Sequence, residues 1–131
     1  MTLRILLRNI ANAVISSGYY AVGNIRASLQ GVRLGAGARV SPYATVADAY
    51  FIGSATIGRQ VVLGRGSYIN SGTIMSGSIG SWCSIGYDVI IGPTEHDLDG
   101  WTTSPARAVV RGQSASSVER NVPPPVLEDE V

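Results

Sequence analysis

The chain has 131 residues, enough for one domain and too few to suggest two. Its 45% of hydrophobic and only 15% of charged residues exclude disorder caused by low hydrophobicity. Ten basic and nine acidic side chains leave a net charge of +1, without the strong positive charge typical of nucleic-acid-binding proteins. The single cysteine permits neither an internal disulfide nor a cysteine metal cluster, and it fits a reducing compartment.

Residues 1–30 are interpreted as an N-terminal amphipathic α-helix followed by a linker. Apolar residues recur there at helical spacing, namely Leu3, Leu7, Ile10 and Val14. We expect the helix to end near Gly18, and its apolar runs are too short to span a bilayer. In the preferred interpretation the helix caps one end of the scaffold that follows. In the alternative it is an interfacial helix that contacts anionic lipid through Arg4, Arg8 and Arg26.

Residues 31–94 carry a six-residue repeat. Each unit begins with an aliphatic residue, often followed by glycine, and its fifth residue is usually small or β-branched. The units begin at Leu34, Val40, Val46, Ile52, Ile57, Leu63, Ile69, Ile74, Ile79, Ile85 and Ile91. Because this period matches neither the alternation of a strand nor the 3.6-residue turn of a helix, we expect one short strand and one turn per unit, stacked into a solenoid. We expect the first and the fifth residue of each unit to pack into the same interior. Cys83 occupies a fifth position, which favours interior packing over a nucleophilic role.

Residues 95–125 break the repeat and are interpreted as an active-site arm. The arm begins with Glu95 and His96, the only histidine in the chain. An imidazole, which titrates at about pH 6.5 when unperturbed, can accept a proton from an attacking hydroxyl and return it to a leaving group. A lone histidine at a turn is more often structural, but the position of His96 directly after a regular scaffold favours a catalytic role. Acidic and aromatic neighbours could bind a polar acceptor or a sugar ring, namely Glu95, Asp97, Asp99 and Trp101.

The repeat at 34–94, about half the chain, resembles the hexapeptide-repeat acyltransferases. The histidine after the last isoleucine-glycine unit, with Thr102, Thr103, Ser104 and Pro105 downstream, resembles their xenobiotic and polysaccharide O-acetyltransferase branch. This resemblance implies an all-β solenoid, a left-handed parallel β-helix with three hexapeptides in each triangular coil. It also implies a homotrimer that uses acetyl-CoA as the acyl donor.

The resemblance implies roles for individual residues. His96 matches the arm histidine that acts as general base, and Asn70 in the stretch Ile69-Asn70-Ser71-Gly72 matches an asparagine near the acceptor. We therefore expect direct acetyl transfer from acetyl-CoA to a hydroxyl of a sugar or related acceptor, in surface polysaccharide biosynthesis for example. The alternatives are N-acyl transfer to an amino sugar and a non-catalytic solenoid with an assembly role. One histidine cannot supply a metal site of several histidines.

Residues 126–131 are interpreted as the start of a further, incomplete repeat, with Leu127 as its aliphatic residue. Members of the family continue with several more coils that carry much of the coenzyme A contact. We therefore expect a shortened chain with an incomplete donor site. We expect a cytoplasmic location, and the interfacial alternative for the first helix would put the protein at the inner face of the membrane.

Overall fold

The computed structural model describes residues 3–115, 119–120 and 122–131. Residues 1–2, 116–118 and 121 of the predicted helix and arm lie outside the described residues. The described chain forms two compact units, one of residues 3–92 and 125–131 and the other within residues 93–124. In chain order the elements are α1 (Leu3–Leu29), β1 (Arg33–Leu34), β2 (Arg39–Val40), β3 (Phe51–Leu63), β4 (Tyr68–Ile79), β5 (Ser84–Ile85), β6 (Val89–Ile91), β7 (Glu95–His96), α2 (Pro105–Val110), β8 (Glu119–Arg120) and β9 (Val126–Leu127).

The first unit is a parallel β-solenoid of about three turns that follows helix α1. Most register partners lie one coil apart along the chain, from 18 residues between Arg33 and Phe51 to 16 between Tyr68 and Ser84, whereas β4 and β9 pair across 48 residues. The paired segments form three columns, 33–34/51–52/68–69/84–85, then 39–40/56–57/73–74/90–91, then 45/62–63/78–79/126–127. The solenoid predicted from the repeat is therefore confirmed. The left-handed sense of its coil stays a prediction.

The aliphatic residues that begin the repeat units form the core. Ten of them are buried, namely Val40, Val46, Ile52, Ile57, Leu63, Ile69, Ile74, Ile79, Ile85 and Ile91. They stack above one another within the columns, so each coil buries apolar side chains that an isolated coil would leave in water. Cys83 is also fully buried, as predicted, and its Sγ lies 3.1 Å from the carbonyl oxygen of Glu128.

The expectation for the fifth position is wrong in the units that have only five residues. Thr56 and Thr73 are half-buried and Ser78 is exposed, whereas Ala55 and Gly77 are buried. Because side chains alternate between the two faces of a strand, the inward position is the one two residues before the next aliphatic residue. In a five-residue unit that position is the fourth.

Helix α1 covers the free edge of the first coil with its C-terminal half. Gly23 and Ala27 are buried, and Gly23 lies directly against the backbone of Val40. The side-chain amide of Asn24 makes the two hydrogen bonds that a neighbouring strand would make. Its Nδ2 donates to the carbonyl of Ala38 at 2.8 Å, and its Oδ1 accepts from the backbone N–H of Val40 at 2.9 Å. The carbonyl of Ala38 and the N–H of Val40, which would otherwise be unpaired at the edge of the first coil, are thereby satisfied.

The expected end of this helix near Gly18 is wrong, because α1 continues to Leu29. A glycine inside a helix costs only about 1 kcal/mol, and the packing of the second half of α1 on the solenoid offsets that cost. The helix ends in a Schellman motif instead. Gly31 adopts a φ of 84°, the N–H of Val32 donates to the carbonyl of Ala27, and the N–H of Gly31 donates to that of Ser28. Among the described residues, no helix combines the length and the apolar character needed to cross a lipid bilayer.

Replacing Asn24 with alanine is expected to lower the free energy of unfolding by about 1–3 kcal/mol, because the backbone groups of Ala38 and Val40 lose their partners. Urea unfolding followed by circular dichroism measures this loss. Asn12→Ala is the matched control, since Asn12 is exposed on the same helix. A loss no larger for Asn24→Ala than for Asn12→Ala would contradict the edge-closing role.

Candidate functional site

The excursion 93–124 interrupts one coil of the solenoid. Ile91 belongs to the second column and Leu127 to the third. Leu127 lies 48 residues after its register partner Ile79, and 32 of those residues belong to the excursion. Without the excursion the two residues would be 16 apart, which is the length of one coil. The excursion is therefore an insertion into an otherwise continuous coil. Leu127, interpreted from the sequence as the start of a further repeat, supplies the third side of the interrupted coil.

His96 lies within this excursion on strand β7, which pairs antiparallel with β8. The register places His96 opposite Glu119 and Glu95 opposite Arg120, and His96 is exposed to solvent. The two short strands hold the backbone of His96 through this pairing. Its imidazole is thus accessible to a substrate, which is the first requirement for proton transfer.

The acidic candidates near His96 differ in their surroundings. Glu95 is exposed, and Asp97 is half-buried and bends the chain after β7. The Oδ1 of Asp97 accepts the backbone N–H of Asp99 at 3.1 Å, a local turn typical of aspartate. The carboxylate of Asp97 therefore has a structural function in this turn, and Glu95 is the freer of the two.

Trp101 packs against the residues that follow α2. Its indole N–H donates to Oε1 of Gln113 at 3.0 Å, and the guanidinium of Arg111 lies 4.2 Å from the ring centroid. Helix α2 itself is capped by Ser104, whose side chain accepts the backbone N–H of Arg107. These contacts anchor the indole within the excursion, while 45% of Trp101 stays exposed.

Asn70, the remaining candidate, belongs to the solenoid and not to the excursion. It lies on β4 directly after the buried Ile69 and is half-buried. Its backbone carbonyl packs against Gly53 of the preceding coil, where a side chain would collide with it. Four of the predicted site residues therefore lie in the excursion, namely Glu95, His96, Asp97 and Trp101. Asn70 lies on strand β4 of the solenoid.

The structure also contains a cleft on the solenoid that the six-residue pattern does not indicate. It has a volume of about 350 Å³ and is lined by Gln30, Gly31, Arg33, Asp48, Ala49, Tyr50, Arg65, Gly66 and Trp82. The guanidinium of Arg33 lies 3.9 Å from the ring centroid of Tyr50, and that of Arg65 lies 6.0 Å from the ring centroid of Trp82. Two cations beside two aromatic rings suit a ligand with anionic groups and a flat ring.

One corner of successive coils builds this cleft. Asp48, Gly66 and Trp82 share a left-handed backbone conformation, with φ values of 65°, 71° and 64°. Arg65 and Trp82 lie one coil apart, and the N–H of Trp82 donates to the carbonyl of Arg65 at 2.8 Å. Their spacing of about one coil is a signal that the sequence contains. The spacing of the aliphatic residues does not show this signal, because the corner residues do not belong to the core.

In comparisons with known proteins, no family model, curated protein or solved structure matches the chain. The class of protein that the structure defines is a parallel β-solenoid with an N-terminal helix.

Proposed function

We propose that this protein transfers an acetyl group from acetyl-CoA to a hydroxyl of a sugar or related acceptor. The observation that carries the proposal is the insertion of a 32-residue excursion, with the exposed His96 on its first strand, into a coil of a six-residue-repeat solenoid. The excursion, which leaves a regular solenoid and carries the histidine, resembles the arm of the hexapeptide acetyltransferases. The left-handed coil and the homotrimer belong to the same proposal.

The proposed mechanism needs no covalent intermediate on the protein. The imidazole of His96 accepts the proton of the acceptor hydroxyl as its oxygen forms a bond to the thioester carbonyl carbon. The tetrahedral intermediate then collapses, the carbon–sulfur bond breaks, and the imidazolium returns the proton to the thiolate. The products are an acetyl ester and the free thiol of coenzyme A. Holding the thioester and the acceptor hydroxyl in reacting orientation supplies much of the remaining acceleration, and a backbone N–H is the natural donor to the oxyanion.

The donor contains phosphates and an adenine ring, and the corner cleft has matching chemistry. Guanidinium groups such as those of Arg33 and Arg65 bind phosphate oxygens with charge-assisted hydrogen bonds. The rings of Tyr50 and Trp82 are suited to stacking on a flat base. For the acceptor, Glu95 is the exposed carboxylate next to His96, and the accessible part of Trp101 suits contact with a sugar ring.

Acetyl transfer is tested with the full chain, acetyl-CoA and a panel of neutral sugars and amino sugars. We expect thiol release that depends on the acceptor, and an acceptor that gains an acetyl group on oxygen. Acetylation of amino sugars on nitrogen alone would show N-acyl transfer instead. If neither turnover nor saturable coenzyme A binding occurs, the non-catalytic solenoid with an assembly role replaces the proposal. Light scattering is expected to show a trimer.

Coenzyme A binding to the corner cleft is tested by calorimetry with Arg65→Gln. We expect about tenfold weaker binding, since one charge-assisted contact to phosphate is lost. The matched control is Arg59→Gln, because Arg59 also lies over an aromatic ring, 4.4 Å from the centroid of Tyr43, but does not line the cleft. Equal losses for both variants would contradict the assignment of the cleft to the donor.

A further inference from the structure

Helix α1 has a second face, which points away from the solenoid. Small or apolar residues follow one another along it at spacings of three and four, namely Leu3, Leu7, Ile10, Val14, Gly18, Ala21, Ile25 and Leu29. All eight are exposed in the structure, whereas Gly23 and Ala27 on the opposite side are buried against the first coil. We call these eight residues the apolar stripe. It runs the whole length of the helix, about 40 Å at 1.5 Å per residue.

The period of the apolar stripe indicates what kind of surface covers it. The stripe advances about 3.7 residues per step, close to the 3.6 residues of a straight α-helix and longer than the 3.5 of a coiled-coil heptad. A left-handed coiled coil would need the shorter period to stay in contact with its partner. An 11-residue repeat of about 3.7 residues per step fits a right-handed coiled coil, so the charges beside the stripe decide between a partner helix and a lipid surface. The observed period keeps the stripe on one straight side, which suits a flat apolar surface.

The charges around the apolar stripe indicate the sign of that surface. Residues 1–47 contain no aspartate or glutamate, and all nine acidic residues of the chain lie at Asp48 or beyond. Helix α1 carries Arg4, Arg8 and Arg26. Arg26 donates to the carbonyl of Pro42, and Arg4 and Arg8 are exposed beside the stripe. The matching surface is therefore apolar within and negatively charged at its border.

We infer that α1 docks the protein on an anionic lipid bilayer, with the apolar stripe in the headgroup–acyl boundary and Arg4 and Arg8 at lipid phosphates. A straight apolar side with basic residues next to it is the pattern of helices that lie in a bilayer interface. Since no described helix is long and apolar enough to cross a bilayer, α1 lies on the membrane. The C-terminal half of α1 stays packed on the first coil through Gly23 and Ala27, so the solenoid is attached to the membrane through this helix.

Flotation of the full chain with vesicles tests the inference. We expect the protein to float with vesicles of phosphatidylcholine and phosphatidylglycerol, and less so with phosphatidylcholine alone. The double variant Ile10→Gln/Val14→Gln is expected to weaken binding at least about tenfold, because two buried aliphatic side chains are lost from the interface. Arg4→Gln/Arg8→Gln is expected to remove the preference for the anionic vesicles, and added salt is expected to weaken binding of the unmodified chain.

The matched control is Val109→Gln/Val110→Gln, which removes two exposed valines from α2 and is expected to leave flotation unchanged. Circular dichroism checks that every variant keeps its fold, as expected for exposed positions. Absence of flotation, or flotation that Ile10→Gln/Val14→Gln does not weaken, overturns the inference. An oligomer that loses subunits in that variant, together with no flotation, would show that a second copy of the chain covers the apolar stripe.

Discussion

Replacement of His96 by alanine is expected to lower the rate of acetyl transfer by about 10²–10⁴-fold, the usual contribution of a positioned general base. Without the imidazole, the acceptor hydroxyl has to lose its proton to water as it attacks the thioester. Because His96 is exposed, its truncation leaves no cavity and is expected to leave the free energy of unfolding unchanged. Thiol release from acetyl-CoA at saturating acceptor measures the effect.

Leu98→Ala serves as the control, since Leu98 is 80% exposed and lies in the same excursion. It is expected to retain the full rate. Calorimetry with coenzyme A separates catalysis from binding, because loss of a base lowers the rate and leaves donor affinity unchanged. Full turnover in His96→Ala would contradict the assignment of His96 as the general base. The description of the solenoid does not depend on this result.

The largest effect on stability is expected for Gly72→Ala, with a loss of about 2–5 kcal/mol from backbone strain and overpacking together. Gly72 has a φ of 124°, a conformation that a side chain disfavours, and its missing side chain leaves room for the backbone of Val89 on the next coil. Domains are stable by about 5–15 kcal/mol in total, so this substitution removes a large fraction. Urea unfolding followed by circular dichroism measures it.

Gly86→Ala is the matched control for this glycine. A side chain at position 86 would meet nothing within 4 Å, and Gly86 is exposed. The control is therefore expected to change the free energy of unfolding by less than about 0.5 kcal/mol. Equal losses at Gly72 and Gly86 would show that the close approach of neighbouring coils at Gly72 does not limit stability.

The solenoid could be predicted from the sequence because its core repeats. Every unit begins with an aliphatic residue that the next coil covers, so the period of the chain reports the period of the structure. The inward small residue was harder to place, because five-residue units move it from the fifth position to the fourth. Ala55 is buried and Thr56 is not, and only the alternation of side chains along the strand explains this difference.

The candidate site could be predicted in part. His96 can be identified because it follows the last unit of a regular repeat, and a departure from a pattern is visible in sequence. The corner cleft cannot be predicted from the repeat, because Arg33, Arg65 and Trp82 lie outside the buried positions that define the repeat. Residues from three successive coils meet there only after the chain has wound around the core.

The repeat, the aliphatic columns and the amphipathic character of the first helix can all be predicted from the sequence, since each is a local periodicity. The end of α1 and the choice of the face that is covered depend on contacts with the rest of the fold. Gly23, Asn24 and Ala27 pack on the first coil because small side chains and one amide match its free edge, and this leaves the stripe from Leu3 to Leu29 exposed. A helical period identifies an apolar face, and contact with the rest of the chain decides whether that face is buried.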